Sequence, residues 1–214
     1  MTSVIVLASG GPDSLTCVLE ALERGYVVHA LFVDYGQPAA SVECSYVQSH
    51  ADLLGFRLAC ISLKIWLDGM ADAVGVEGPR IVPARNSILL SLAANHAAKV
   101  GASEIWYGAC SADTAYHDCQ QEFMDAMSTA LGVPVRAPMI KISKADILHR
   151  VRYIKTISCY TPIGQKACGQ CSSCRTRNEA LSRCQPAQTK DSCVPVAREG
   201  YPAPVGWQVL EVSK

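Results

Sequence analysis

The string S-G-G-P-D-S at residues 9–14 gathers the residue types best suited to chemistry in this chain. Gly10 and Gly11 let the backbone turn tightly with its amides pointing inward. Pro12 suits the first turn of a helix, where its missing N–H would be unsatisfied in any case. Free amides at a helix start attract an anion, with roughly 0.3–2 kcal/mol per charge from the helix dipole alone. Ser9 and Ser14 add hydroxyl donors, and Asp13 adds a carboxylate. A loop of the form G-x-x-x-x-G-K-[ST] carries a lysine that reaches the β- and γ-phosphates. No lysine stands near residues 9–14, so this is an anion loop of another kind. Two glycines alone would fit a plain strand-to-helix turn; the full string between an apolar run and a helical one is more specific.

A second constellation is Cys159, Cys168, Cys171 and Cys174, spaced C-x8-C-x2-C-x2-C. Thiolates at x2 spacing wrap one metal, because the tight turn points both sulfurs inward. Four of them close a tetrahedral Zn²⁺ site with no position left for water, a structural rather than catalytic centre. An iron–sulfur cluster also uses x2 spacings; the long first gap and the helical run that follows suit a zinc ribbon better. The dispersed Cys17, Cys44, Cys60, Cys110, Cys119, Cys184 and Cys193 read as core or surface residues.

The elements that must position these groups follow from hydrophobic period. "SVIVLAS", "YVVHALFVDYG", "FRLACISL" and "EIWYGAC" read as strands, and "VRAPMI" as a last short one. Between them, "SLTCVLEALERG", "SVECSYVQSHADLLG", "NSILLSLAANHAAKVG" and "QEFMDAMSTALG" have helical period. "SKADILHRVRY" opens with the capping pattern Ser143-x-x-Asp146. Alternation of this kind predicts an α/β fold, a doubly wound, mostly parallel sheet with helices on both faces. Ligands in such sheets bind beyond the carboxyl ends of the strands. The polar strings "SGGPDS", "DYGQ" and "GACSADTAYHDC" all fall there and should converge. The expected organisation is a nucleotide-binding α/β domain over 1–154, a four-cysteine module with a short helix over 155–183, and an extended tail over 184–214. An irregular stretch with Gly69, Gly75, Gly78 and Pro79 interrupts the first of these.

Half the 214 residues are hydrophobic, 18% are charged, and the formal net charge is zero. That balance fits a globular protein and argues against a dedicated nucleic-acid binder, so no stable nucleic-acid partner is expected. The apolar run near the start is too short to span a membrane and lacks a basic flank, so no membrane is expected and the cytoplasm is the expected location.

With "DYGQ", "VPARN" and "KTISCY…CGQCSSCRTR" added, the two constellations closely resemble the 7-cyano-7-deazaguanine synthase family, within the pyrophosphate-loop ATPases whose signature is S-G-G-x-D-S. The resemblance covers residues 3 to about 183. It implies an adenine nucleotide alpha hydrolase-like fold and an ATP-dependent carbon–nitrogen ligase. A 7-deazaguanine carboxylate is adenylylated, ammonia displaces AMP to give an amide, and a second ATP dehydrates the amide to a nitrile, in queuosine-type biosynthesis. ATP, Mg²⁺, one structural Zn²⁺ and a homodimer are implied with it. Carried over by position, the resemblance assigns catalysis to Asp13, Ser14 and Arg85. Nucleotide binding falls to Ala8, Ser9, Gly10, Gly11, Pro12, Asp13, Ser14, Phe32, Asp34 and Gly108. Substrate binding falls to Tyr35, Gln37, Arg85, Asn86, Asp113, Tyr116 and Asp118, and metal binding to the four clustered cysteines. Read as residues alone, Asn86, Asp113 and Asp118 could equally cap helices.

The chain departs from the family at four positions. Pro38 and Ala39 stand where D-Y-G-Q is usually followed by Arg-His, and "YHDCQ" replaces Y-P-D-C-R, putting His117 for Pro and Gln120 for Arg. The lost arginines are bidentate partners for carboxylate or phosphate. Besides the nitrile-forming enzyme, an amide-forming or conjugating ligase on a 7-deazaguanine-type carboxylate therefore stands as an alternative. A tRNA-thiolating enzyme and a non-catalytic zinc-ribbon module are more distant ones. His29 and His96 read as packing or surface residues, whereas His117 sits in the substrate loop.

Overall fold

A computed structural model describes residues 2–63 and 82–183. The irregular stretch expected around residues 69–79 and the tail expected over 184–214, with Cys184 and Cys193, lie outside the described residues. Five strands, Ser3–Leu7 (β1), Val27–Asp34 (β2), Arg57–Ser62 (β3), Glu104–Trp106 (β4) and Val135–Arg136 (β5), form one sheet in the order β3-β2-β1-β4-β5. Every neighbouring pair is parallel. Six α-helices accompany them among the described residues: Pro12–Glu23 (α1), Ala40–Leu54 (α2), Arg85–Val100 (α3), Gln121–Leu131 (α4), Lys144–Arg150 (α5) and Ser172–Arg183 (α6).

The central strand β1 shows why an unbroken apolar run becomes a strand here. Val4 and Val6 face a core shared with Cys17, Val18 and Ala21 of α1, Ala51 of α2, Trp106 and Ile147 of α5. Ile5 faces the opposite core, with Leu90, Ala93 and Ala97 of α3 and Phe123 and Met124 of α4. Both faces are covered, as a parallel sheet requires. Each large side chain so buried contributes about 1.5–3 kcal/mol.

Three elements are shorter than their sequence pattern suggests. Strand β4 ends at Trp106 because the chain then passes over the start of α1, where a Cβ on Gly108 would lie 2.7 Å from the Ser14 amide nitrogen. Strand β5 stops before Pro138, and the chain turns, with the Ile140 amide donating to the Ala137 carbonyl at 3.1 Å. Helix α5 ends at Arg150 in a tighter turn, the Ile154 amide donating to the Val151 carbonyl at 2.9 Å. Its expected cap is present: the Ser143 hydroxyl accepts from the Asp146 amide at 3.1 Å.

The chain leaves β1 on both sides, toward β2 and toward β4, which makes the carboxyl ends of β1 and β4 the switch point of the sheet. The cysteine module packs against that end. Ile157, Cys159 and Cys174 form a small core with Val42 of α2, flanked by Tyr46.

Candidate active site

A cavity of about 510 Å³ opens at the switch point. It is lined by the anion loop, the ends of β2 and β4, the first turns of α2 and α3, the loop after β4, and the cysteine module. The three polar strings therefore do converge, and the module supplies a fourth wall through Tyr160, Ser172, Ser173 and Thr176.

The loop is organised from within. Ser14 is buried; its hydroxyl accepts from the Ser9 amide and donates to the Gly11 carbonyl, each at 3.2 Å. Pro12 occupies the first turn of α1 after an extended Gly11. Gly10 has φ +70°, and a Cβ there would meet Tyr46 Cβ at 2.8 Å and the Glu43 carbonyl at 2.9 Å. A glycine is thus demanded by both backbone and neighbours. The Ile157 amide donates to the Gly10 carbonyl at 3.0 Å, tying the module to the loop.

The lysine that the loop lacks locally comes from elsewhere. Lys144, opening α5, donates to Asp13 Oδ2 at 2.5 Å across 131 positions of sequence. Asp13 Oδ1 is buried and has no hydrogen-bond partner among the described residues. A buried carboxylate oxygen left without a donor is a place for a cation or a ligand proton. Lys144 was not legible as a site residue. Its one signal is position, at the start of the helix that follows the last strand.

Of the expected nucleotide residues, Ala8, Ser9, Gly11, Pro12, Asp13, Ser14, Phe32 and Gly108 line the cavity. Gly10 faces α2 instead, and Asp34 closes the turn after β2, accepting from the Gly36 amide at 3.0 Å. All the expected substrate residues, Tyr35, Gln37, Arg85, Asn86, Asp113, Tyr116 and Asp118, line it. Several are already engaged. Gln37 accepts from the Tyr35 amide at 2.9 Å and donates to the Val33 carbonyl at 3.2 Å and to Glu43 Oε2 at 3.0 Å. Asp113 Oδ2 accepts from the Cys110 amide at 2.9 Å, and Asp118 Oδ1 from the Cys119 thiol at 3.8 Å. Arg85 follows Ala84, a residue with φ +56° at the N-cap of α3, and its guanidinium hydrogen-bonds Tyr35.

The departures divide. Pro38 and Ala39 line the cavity. His117 and Gln120 are exposed and do not line it; the His117 ring lies edge-on to Phe123 at 6.1 Å. Glu43 and Tyr160 line it although sequence reasoning did not single them out.

The thiols of Cys159, Cys168, Cys171 and Cys174 all lie within 4.8 Å of one another. Zinc–sulfur bonds of about 2.3 Å arranged tetrahedrally need sulfurs at this kind of spacing, so the cluster is compatible with zinc. The Gln170 and Cys171 amides, with the Thr161 hydroxyl, push the Cys168 thiol down to about 6, whereas burial raises Cys159 and pushes Cys174 up to about 12. Arg177 braces the module, donating to Thr156 Oγ1 at 2.8 Å and Ser158 Oγ at 3.0 Å. Among the described residues no helix is long and apolar enough to cross a membrane.

Comparison with solved structures shows the fold class. NMN synthetase from Francisella tularensis superposes with a TM-score of 0.55 at 11% identity, over 89% of this chain and 90% of that one. The U34-tRNA thiolase NcsA from Methanococcus maripaludis, with its [4Fe-4S] cluster, gives 0.56 at 16% identity, over 84% of this chain and 64% of that one. Among curated proteins, the 7-cyano-7-deazaguanine synthase of Caldicellulosiruptor bescii is 35% identical over 209 residues, 86% of this chain and 93% of the relative. That of Thermoplasma acidophilum is 35% identical over 228 residues, 92% of each chain. The family model described as queuosine biosynthesis protein QueC matches residues 3–185, which takes in the anion loop, the cavity and all four clustered cysteines. The chain belongs to the QueC family.

Proposed function

We propose that this chain makes 7-cyano-7-deazaguanine from 7-carboxy-7-deazaguanine, ammonia and ATP. The observation that carries the reading is the anion loop at the switch point, with Lys144 held against Asp13. The loop amides left free at the start of α1 and the Lys144 ammonium hold the β- and γ-phosphates as a leaving group, and AMP passes to the substrate carboxylate. Asp13 Oδ1, buried without a donor, suits a Mg²⁺ ion that neutralises the polyphosphate. Ala8, Phe32 and Gly108 wall the nucleoside. Arg85 and Asn86, on the first turn of α3, meet the carboxylate, while Tyr35, Tyr116 and the free oxygens of Asp113 and Asp118 meet the base. Gln37 acts through its neighbours rather than on the substrate, since its side chain is already bonded on both sides.

Ammonia then displaces AMP to give the amide, and a second ATP activates the amide oxygen for loss as AMP. The zinc is structural. A homodimer follows from family likeness, and free thiols with ATP as co-substrate suit the reducing cytoplasm. A second reading, a ligase that stops at the amide or joins another amine, is favoured by Pro38 and Ala39 in the cavity wall where the family carries Arg-His.

Mass spectrometry of products from the three substrates, with AMP counted, separates the two. The nitrile reading expects two AMP per product. One AMP per turnover with an amide or amine adduct moves the assignment to the second reading, and release of ADP would overturn the pyrophosphate-loop chemistry altogether.

A further inference from the structure

Both steps of the proposed reaction shed an N–H proton, and no histidine lines the cavity among the described residues. The tyrosines and the thiol there are poor acceptors. Burial raises Tyr35, Tyr107 and Tyr160 above their ordinary values and pushes the Cys119 thiol up to about 12, so all stay protonated near neutral pH. Four cavity carboxylates remain: Asp13, Glu43, Asp113 and Asp118. Asp13 is paired with the Lys144 ammonium through Oδ2, and its free Oδ1 is given above to the polyphosphate cation; Asp113 and Asp118 each spend one oxygen on a backbone amide or a thiol and keep the other for the base of the substrate.

Glu43 differs from these. It stands in the first turn of α2, with Oε2 accepting from the neutral Gln37 amide at 3.0 Å. Gln37 is itself fastened to the Val33 carbonyl and the Tyr35 amide, so the carboxylate is pre-oriented. Burial raises its proton affinity above that of an ordinary carboxylate. Its Gln37 hydrogen bond and the Arg85 charge oppose this, and the Asp34 charge adds to it. Ala39 lines the same stretch of wall and offers no competing base.

The geometry points to Glu43 as the proton acceptor for the attacking amine, an assignment that rests on the proposed reaction. In the first step the ammonia lone pair forms the C–N bond, and the C–O bond to AMP breaks with its electron pair leaving on AMP. One N–H proton passes to the Glu43 carboxylate. In the second, the adenylylated amide loses its N–H proton to Glu43 as the C–O bond breaks and the nitrile forms. Glu43 returns each proton to solvent between steps.

The test compares wild type, Glu43→Gln and Glu43→Asp in two assays. Carboxylate-dependent exchange of pyrophosphate into ATP without ammonia reads adenylylation alone; amide formation at matched free-ammonia concentration, followed against pH, reads proton transfer. General-base loss predicts that Glu43→Gln lowers amide formation by roughly 100-fold or more beyond any change in exchange. It also removes the acid limb of the wild-type pH profile, and Glu43→Asp partly restores that limb. Equal losses in both assays would show that Glu43 merely shapes the loop and overturn the assignment, as would amide formation insensitive to Glu43→Gln. If the wild type shows no carboxylate-dependent exchange, the proposed reaction falls and this assignment falls with it; exchange with Glu43-independent amide formation overturns this assignment alone.

Discussion

Gly10 and Gly108 set the anion loop by what they lack. Gly10 lets the loop lie against α2 with a left-handed backbone, and Gly108 lets the end of β4 pass over the Asp13–Ser14 peptide. An alanine at residue 10 meets both the backbone penalty and the contacts at 2.8 and 2.9 Å. Gly10→Ala should therefore lose about 2–5 kcal/mol of stability, from left-handed strain and overpacking together. Chemical denaturation reads this directly. Stability within about 0.5 kcal/mol of wild type would mean that the loop sits away from α2. Ser14 belongs to the same device: its hydroxyl is spent bracing the turn, so its contribution to an anion comes through the shape it holds.

At the scale of elements, α2, the cysteine module and the anion loop form one mechanical unit. The module's Ile157 bonds the loop at Gly10, and His50 of α2 donates from Nε2 to the Lys155 carbonyl at 2.7 Å. On the proposed zinc reading, Cys171→Ser should remove the metal, which in small modules supplies on the order of 10 kcal/mol of folding energy. Metal analysis and calorimetry should find less than one zinc per chain and a lower melting temperature; full zinc with unchanged melting would remove the site. His50 gives the unit a pH dependence. Burial lowers its proton affinity below the ordinary histidine value of 6.5, although the Lys155 hydrogen bond works the other way. The unfolded chain takes up that proton first, so stability rises with pH. The contribution from neutral His50 is full above about 6.5 and declines as pH falls through that value. His50→Gln should flatten this part of a stability–pH curve measured by denaturant titration; an unchanged slope would assign it to another group.

For the whole molecule, the cavity draws its walls from the sheet, four helix starts and the module, so a ligand there should stabilise all of them together. A non-hydrolysable ATP analogue at 100 times its dissociation constant should add about 2.7 kcal/mol, seen as one shifted unfolding transition. On the proposed zinc reading, a chelator should shrink that shift, because the loop then loses its tie through Ile157. Two separate transitions, only one of them responding to the nucleotide, would show that the α/β body and the module are energetically independent.

Local order was legible because it follows from short-range rules. The apolar runs of β1 and β2, the start of α1 at Pro12, the Ser143 cap and the x2 spacing of the cysteines are each set within a few residues. Family motifs extended this to the cavity wall at Tyr35, Arg85, Asp113 and Asp118. The rest depended on distance folded away. Lys144 reaches Asp13 from 131 positions on, and Gly10 turns its back on the cavity because α2 lies behind it. His117 lies out against Phe123, while Glu43 lines the cavity. A residue's type and its neighbours in sequence define what it can do. Which charges it meets, and which of its atoms remain free, is decided only when the sheet order brings the carboxyl ends of β1 and β4 together and the module closes over them.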